Sequence, residues 1–257
     1  MMRTSEFWFL ITQRNLILVA FVFMFCACDE PQKKQKKAQD NDWVLINSNP
    51  DKIEGWFFHR NKEEYNGWSI ENGVMTYDAS KNKSGLDSSI LTNDQYYNFE
   101  ISFDWKTAAY ANSGFLWGVR DIEGLDQAYL TGREIQIVDP QVYQNMPEEQ
   151  KHNAGALYDM IAPIQNVSRP TNEWNSYFIR INHDENLGVL VFNNTEVLRF
   201  PLRGEEWDQL VQESKFKTWS EFGKYEKGHI SLQAHGPMDD QYDGVTSFRN
   251  IKIRKLD

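Results

Sequence analysis

Cysteine is scarce in this chain, since its 257 residues include only Cys26 and Cys28. Both stand near the N-terminus, so residues 42–257 have no thiol for a disulfide, a thiolate metal site or a cysteine nucleophile. A domain without such cross-links depends on its hydrophobic core for stability. The sequence therefore excludes the class of small disulfide-stapled proteins.

Long hydrophobic runs are also missing. The longest uninterrupted apolar stretch, Leu16–Phe25, has ten residues, and as a helix it would span about 15 Å, roughly half of the hydrocarbon core of a bilayer. Arg3 and Arg14 precede this stretch and charged residues follow it, which is the order of parts in a signal peptide. We therefore expect a cleaved leader.

The leader ends in Phe25-Cys26-Ala27-Cys28, which resembles a bacterial lipobox. This resemblance predicts cleavage before Cys28, lipid attachment at Cys28 and a membrane-anchored protein of the cell envelope, on the periplasmic or the cell-surface side. An ordinary secreted leader and an uncleaved anchor remain alternatives. The predicted organisation is a signal peptide over residues 1–28, a charged tether over 29–41 and one domain over 42–257.

Positive charge is in deficit, with 27 basic against 37 acidic residues and a net charge of −10. The basic cluster Lys33, Lys34, Lys36 and Lys37 lies in the tether, which has no apolar periodicity. Binding to phosphate backbones needs clustered Lys and Arg on a folded surface. We therefore expect no nucleic acid as a partner.

From Trp43 onward the sequence alternates between apolar and polar residues in short runs, and turns rich in Gly, Asn and Asp separate them. Asn72-Gly73 is a strong hairpin signal because both central residues of a type I′ turn need positive φ. Ten or more short strands without intervening helices predict an all-β sandwich or jelly roll. Two stretches differ: residues 141–170 predict one long loop across a face, and residues 204–222 predict a short helical insertion packed on the sandwich.

Several signatures of catalytic proteins are absent, namely a Gly-rich phosphate loop, a His-Glu-x-x-His helix and a Gly-x-Ser-x-Gly turn. Nucleotide-binding, zincin and serine-hydrolase interpretations are therefore excluded. What remains is polar side chains that alternate with core residues along predicted strands.

Two predicted strands carry such side chains. Glu134 and Gln136 alternate with isoleucines, and Asp139 follows at the strand end. In the second strand, Gln233 and His235 share the face opposite to the core. If both strands line one sheet, Glu134, Gln136, Gln233 and His235 converge on one cleft, although a solvated sheet face would give the same alternation. A carboxylate beside an imidazole suits general acid and base catalysis, or a divalent cation held by Glu134, Asp139 and His235.

Other candidates are single residues. The ring of Trp117 could stack on a sugar, although a core position is the commoner role for one tryptophan. His152 lies in the predicted long loop, which could form a lid, although a surface histidine is the simpler explanation.

Six strings, in order along the chain, resemble the 3-keto-disaccharide hydrolase family over nearly all of residues 43–257. They are Asn112-Ser113-Gly114, Glu134 to Asp139, Ala154 to Asp159, Glu173-Trp174-Asn175, Leu232 to Gly236 and Phe248 to Ile253. The resemblance implies a concanavalin-like jelly roll and a hydrolase or lyase that cleaves 3-keto-glycosides, by elimination or by hydrolysis. A separate sugar oxidoreductase would install the 3-keto group.

A 3-keto group acidifies the proton on C2, so that a base can remove this proton and the C1 substituent can leave. The resemblance implies His235 or His152 as the base and Glu134 as the acid or a cation ligand. Gln136, Gln233 and Arg249 would position the substrate, and Asn112, Trp117 and Tyr158 would also contact it. The chain departs from the family at Ala234, where an acidic residue is frequent, which weakens the case for a cation site.

Two alternatives stay open at this point. The first is a noncatalytic carbohydrate-binding domain, since a jelly roll supports binding as readily as catalysis. The second is a structural lipoprotein with a vacant cleft.

Overall fold

The fold is seen in a computed structural model that describes residues 42–60, 67–82 and 88–257. The predicted leader, residues 1–28 with Cys28, and the predicted tether, residues 29–41, lie outside the described residues. Within the described ranges, no helix is long and apolar enough to cross a membrane.

The described residues form thirteen strands, one α-helix and short 3₁₀ helices. The strands are β1 Val44–Leu45, β2 Trp56–Phe58, β3 Trp68–Glu71, β4 Val74–Asp78, β5 Ile90–Tyr96, β6 Phe99–Thr107, β7 Asn112–Val119, β8 Arg133–Val138, β9 Asn175–Asn182, β10 Leu187–Phe192, β11 Thr195–Phe200, β12 Gly228–Leu232 and β13 Val245–Lys255. Helix α1 is Glu205–Gln212, and the 3₁₀ helices are Ala79–Lys81, Ala128–Leu130, Pro147–His152 and Lys215–Thr218.

All strand pairs are antiparallel, and they build two sheets. The eight-stranded sheet has the order β11-β10-β9-β6-β13-β4-β3, with β1 also paired to β13, and the five-stranded sheet has the order β2-β5-β12-β7-β8. Neighbouring strands are often far apart in sequence, as in β6 between β9 and β13, which is the connectivity of a jelly roll. The predicted all-β jelly-roll sandwich is therefore confirmed.

Aromatic side chains fill the space between the two sheets. Phe103 packs on Phe115 of the facing sheet at 5.6 Å between ring centroids, and Tyr177 contacts Trp105 at 5.3 Å. Each of these four side chains is at most 1% exposed. The turn at Asn72 and Gly73 has φ values of 50° and 76°, as the predicted hairpin requires.

The predicted long loop differs from expectation. It contains the 3₁₀ helix Pro147–His152, and its next segment runs along the free edge of β8, where Leu157 forms a bridge to Ile135. The main chain of this segment also bonds Gln136 and Glu134, because an edge strand has unpaired N–H and C=O groups that need partners. The loop therefore extends the five-stranded sheet.

The predicted helical insertion is present as α1 and the 3₁₀ helix Lys215–Thr218. Trp207 and Phe216 are buried, and Phe216 stacks on Phe222 at 3.9 Å. The apolar residues at helical spacing in this stretch thus pack on the sandwich, as expected.

Candidate functional site

The outer face of the five-stranded sheet carries the polar residues that the sequence places between core positions. On β8, Ile135 and Ile137 belong to the core, so Glu134 and Gln136 point away from it. Strand β7 lies between β8 and β12 and contributes Gly114 to the same face, opposite Gln136. Three strands thus bring one set of polar groups together.

Glu134 folds its carboxyl group over Gly114 of the neighbouring strand. A Cβ atom on residue 114 would lie 2.2 Å from Oε1 of Glu134 and 2.8 Å from its Cδ, so only glycine leaves room for this carboxyl group. Glycine weakens a strand interior, and its use there often marks the close approach of another group.

Burial sets the protonation of Glu134. The residue is 8% exposed, and this desolvation raises the pKa of Glu134 to about 8, although the positive charge of Lys215 lowers it in part. Burial disfavours the charged form of a carboxyl group. At neutral pH Glu134 is therefore mostly a neutral acid with a proton to donate.

Three amide residues lie around Gly114 in the sheet. Gln136 lies opposite Gly114 on β8, Gln233 donates its backbone N–H to the Gly114 carbonyl at 2.9 Å, and Asn112 lies two residues before Gly114 on β7. All three are at most 8% exposed. Oδ1 of Asn112 is buried and accepts no hydrogen bond from the described residues.

The segment along β8 brings Tyr158 beside Glu134, and the Tyr158 N–H donates to the Glu134 carbonyl at 3.0 Å. Burial and then the charge of Glu134 raise the pKa of Tyr158, and the pKa of Tyr143 is also raised, first by burial. Both phenols therefore stay neutral and can donate hydrogen bonds at this edge of the site.

His152 is held between two carboxylates. Its Nε2 lies 2.9 Å from Oδ1 of Asp159, and its Nδ1 bonds Oε2 of Glu149. Both ring nitrogens are therefore already engaged with side chains of the protein. The ring packs on Tyr158 at 4.9 Å. His152 therefore acts as a clamp: its bonds to Glu149 and Asp159 hold in place the segment that runs along β8.

His235 has the opposite character. It is exposed just beyond β12, and its Nδ1 lies 2.7 Å from the Gly236 carbonyl, which can only accept. Nδ1 therefore carries the proton in the neutral ring, and Nε2 keeps its lone pair. His235 lines an open cleft of about 550 Å³ together with Gln127, Pro237 and Tyr242, and the residues that line this cleft do not include Glu134, Gln136 or Gln233.

Two predicted substrate contacts lie elsewhere. Trp117 is 1% exposed and packs in the core between Phe115 and Phe200, so its ring does not reach the outer face. Arg249 lies on β13 of the other sheet, where it bonds Asp104 at 3.0 Å and covers the ring of Trp174. Alternation of apolar and polar residues shows which face of a strand is buried. It does not show which of two packed sheets the strand joins. These two predictions are therefore corrected.

Asp139 has a structural role. It is fully buried, and its oxygens accept hydrogen bonds from the Tyr110 N–H and the Thr171 hydroxyl. The set Glu134, Asp139 and His235, predicted for a divalent cation, therefore does not supply three free ligands. No group of three or more His, Cys, Asp or Glu side chains in the described ranges is arranged to hold a metal ion.

Two features of the site are missed by sequence reasoning. The role of Gly114 depends on the side chain of a neighbouring strand, and Lys215 comes from the helical insertion. The ammonium group of Lys215 lies 4.3 Å from the ring centroid of Tyr158. No signal within either local sequence points to Glu134.

The chain is similar to known proteins over most of its length. It is 25% identical over 228 residues to the 3-keto-disaccharide hydrolase of Bacteroides thetaiotaomicron, which covers 79% of this chain and 75% of the relative. The solved structure of a candidate glycosyl hydrolase from Parabacteroides distasonis is 26% identical with a TM-score of 0.73, covering 84% of this chain and 94% of that one.

A second candidate glycosyl hydrolase from Parabacteroides distasonis shares the fold, at 24% identity and a TM-score of 0.63, covering 84% of this chain and 100% of that one. Residues 42–254 match the domain family described as 3-keto-alpha-glucoside-1,2-lyase-like. The match includes Glu134, Gln136, Gln233 and His235 of the outer face. The chain therefore belongs to the 3-keto-alpha-glucoside-1,2-lyase-like family.

Proposed function

We propose that this protein cleaves glycosides that carry a ketone at C3 of the sugar, by elimination across C1 and C2. The observation that carries the proposal is the buried, neutral acid Glu134 held over Gly114. Family membership and the hydrolase name of the Bacteroides relative support a glycoside-cleaving activity.

The first step needs a base. The ketone acidifies the C2 proton, and Nε2 of His235 has the free lone pair to take it. The C2–H bond breaks, and its electron pair forms an enolate with negative charge on the C3 oxygen. His152 is less suited to this step because both of its ring nitrogens are already engaged with the carboxyl groups of Glu149 and Asp159.

The second step needs an acid. The enolate electrons return to form a double bond between C1 and C2 while the C1–O bond breaks, and the leaving oxygen takes the proton of Glu134. A carboxyl group with a pKa of about 8 holds this proton at neutral pH. Addition of water across the same double bond then completes a net hydrolysis. Asn112, Gln136 and Gln233 would orient the sugar hydroxyls.

Leaving groups of different basicity test this assignment. We expect wild-type protein to cleave p-nitrophenyl and methyl 3-keto-glucosides of one or both anomers, and to leave the unoxidised glucosides intact. Glu134→Gln should slow the methyl substrate by about 100-fold or more, within the range of general acid catalysis, and the p-nitrophenyl substrate far less. The reason is that p-nitrophenolate leaves without protonation.

The base is tested in D₂O, where deprotonation at C2 exchanges hydrogen for deuterium in recovered substrate. His235→Ala should abolish both exchange and cleavage, whereas His152→Ala should retain exchange. Cleavage by folded His235→Ala at the wild-type rate would overturn the assignment. Sugar binding without turnover by the wild-type protein would instead support a noncatalytic carbohydrate-binding domain.

We propose further that Cys28 carries a lipid that anchors the domain at the cell envelope, where a sugar oxidoreductase would supply the keto-glycoside. The lipobox-like end of the leader supports this proposal. Expression in a bacterial host followed by detergent phase separation tests it. Wild-type protein should enter the detergent phase with an acylated N-terminal peptide by mass spectrometry, and Cys28→Ala protein should not.

A further inference from the structure

The elimination described above needs one more group. When the C2 proton leaves, negative charge develops on the C3 oxygen, and the site must balance that charge. Glu134 and His235 are both engaged in proton transfer, so neither supplies a lasting positive charge. The group should be a cation close to Glu134 that is not already paired with a carboxylate.

Lys215 meets these requirements. Its ammonium group lies 4.3 Å from the ring centroid of Tyr158 and 5.9 Å from that of Trp219, so aromatic rings hold it in place. Its charge reaches Glu134, whose pKa it lowers. Among the described ion pairs, none involves Lys215.

The main chain at Lys215 is fastened to the same segment that lies beside Glu134. The Lys215 N–H donates to Oδ2 of Asp159 at 2.7 Å, and Oδ1 of Asp159 accepts from His152. The clamp around His152 therefore fixes both the segment with Tyr158 and the start of the 3₁₀ helix with Lys215. Two distant parts of the chain form one wall of the site.

We propose that the Lys215 ammonium group is the electrophile of the reaction, which hydrogen-bonds the C3 oxygen and stabilises the enolate. This proposal rests on the proposed function. In this step no bond to Lys215 forms or breaks: the C2 proton passes to His235, and the ammonium group keeps its three protons throughout. Its charge offsets that of the enolate oxygen until the C1–O bond breaks.

Three variants test this role, with Lys217→Met as the matched control, because Lys217 is an exposed lysine of the same 3₁₀ helix. Lys215→Met should lower kcat/KM by about 100- to 1000-fold, the usual effect of removing one group that stabilises an oxyanion. Lys215→Arg keeps the charge and should stay within about tenfold of wild type. Lys217→Met should match wild type.

Two further readouts separate this role from simple loss of structure. The loss in Lys215→Met should be equal for the p-nitrophenyl and methyl substrates, because the enolate forms before either group leaves. The limb of the pH–rate profile due to Glu134 should move to higher pH in Lys215→Met, since removing a nearby positive charge raises the pKa of a carboxyl group.

Four outcomes decide the matter. A Lys215→Met rate within twofold of Lys217→Met, or a loss confined to the methyl substrate, would overturn the role of Lys215 while leaving the elimination intact. Inactive Lys215→Arg together with an adduct at Lys215 trapped by cyanoborohydride would also overturn it, in favour of a covalent imine. If neither wild type nor Lys217→Met cleaves any keto-glucoside, the proposed function itself fails.

Discussion

Gly114 and Glu134 share one volume on the outer face of the five-stranded sheet, since a Cβ atom at residue 114 would lie 2.2 Å from Oε1 of Glu134. We therefore expect Gly114→Ala to displace the carboxyl group and to lower kcat by about 100-fold, as small misplacements of catalytic groups do. Thermal unfolding should change little, because the displaced side chain can turn toward solvent.

A double-mutant comparison controls for this prediction. In a Glu134→Gln background, adding Gly114→Ala should cost little further rate, because both changes act through the same group. If the losses of kcat in the two single variants multiplied in the double variant, displacement of the Glu134 carboxyl group would not be the cause of the Gly114→Ala effect.

Glu134 should reduce stability at alkaline pH. The folded-state pKa of about 8 lies above the ordinary value of 4.5, so the folded protein binds more protons than the unfolded chain between these values. Stability from this group therefore falls as pH rises through this window, by on the order of a few kcal/mol. Glu134→Gln removes the effect, and urea unfolding at pH 5, 7 and 9 should show its advantage over wild type growing with pH.

The matched control for this measurement is Glu71→Gln, which neutralises an exposed carboxylate at the end of β3. Its difference from wild type should be the same at all three pH values. If the difference in unfolding free energy between Glu134→Gln and wild type were also the same at all three pH values, the burial of Glu134 would have no effect on its ionisation.

His183 should make the protein sensitive to acid. Burial, followed by the charges of Arg133 and Arg203, lowers the pKa of His183 to about 4, and Tyr97 stacks on its ring at 5.0 Å. The unfolded chain binds a proton at the ordinary value of 6.5, so stability is present above pH 6.5 and is lost as pH falls toward 4. The loss is up to about 3 kcal/mol.

Comparing His183→Phe with wild type at pH 7 and pH 4.5 isolates this contribution. The variant should lose less stability between the two pH values, whereas His235→Ala, which changes an exposed ring, should lose as much as wild type. Equal losses in wild type and His183→Phe would show that acid acts through other groups.

His152 should act on stability more than on proton transfer. Replacing it with Ala leaves the carboxylates of Glu149 and Asp159 without their shared donor. We expect a loss of about 1–3 kcal/mol in unfolding free energy, typical of unsatisfied partly buried groups. Deuterium exchange at C2 should survive in His152→Ala and be lost in His235→Ala; the reverse pattern would make His152 the base.

Much of the fold could be predicted because period-two alternation reports directly which face of a strand is buried. The strands from Trp68 to Lys255, the Asn72-Gly73 turn and the helical insertion all follow from such local signals. The two shortest strands, β1 and β2, have two and three residues, which is too few for an alternation to predict them. The path of the segment after His152 along β8 is also not predicted. This segment pairs with the edge strand β8 through main-chain hydrogen bonds, which residues of any type can make.

The sequence by itself determined that Glu134, Gln136 and Gln233 face away from the core, because each alternates with apolar neighbours on its own strand. It could not decide which strands would be neighbours, since strand pairing depends on the packing of the whole chain. Only the tertiary structure therefore shows that Glu134 lies over Gly114, that Arg249 lies on the opposite sheet and that Trp117 lies in the core. It also brought Lys215 to Tyr158, because a cation and a ring 57 residues apart meet only when the insertion packs on the sandwich.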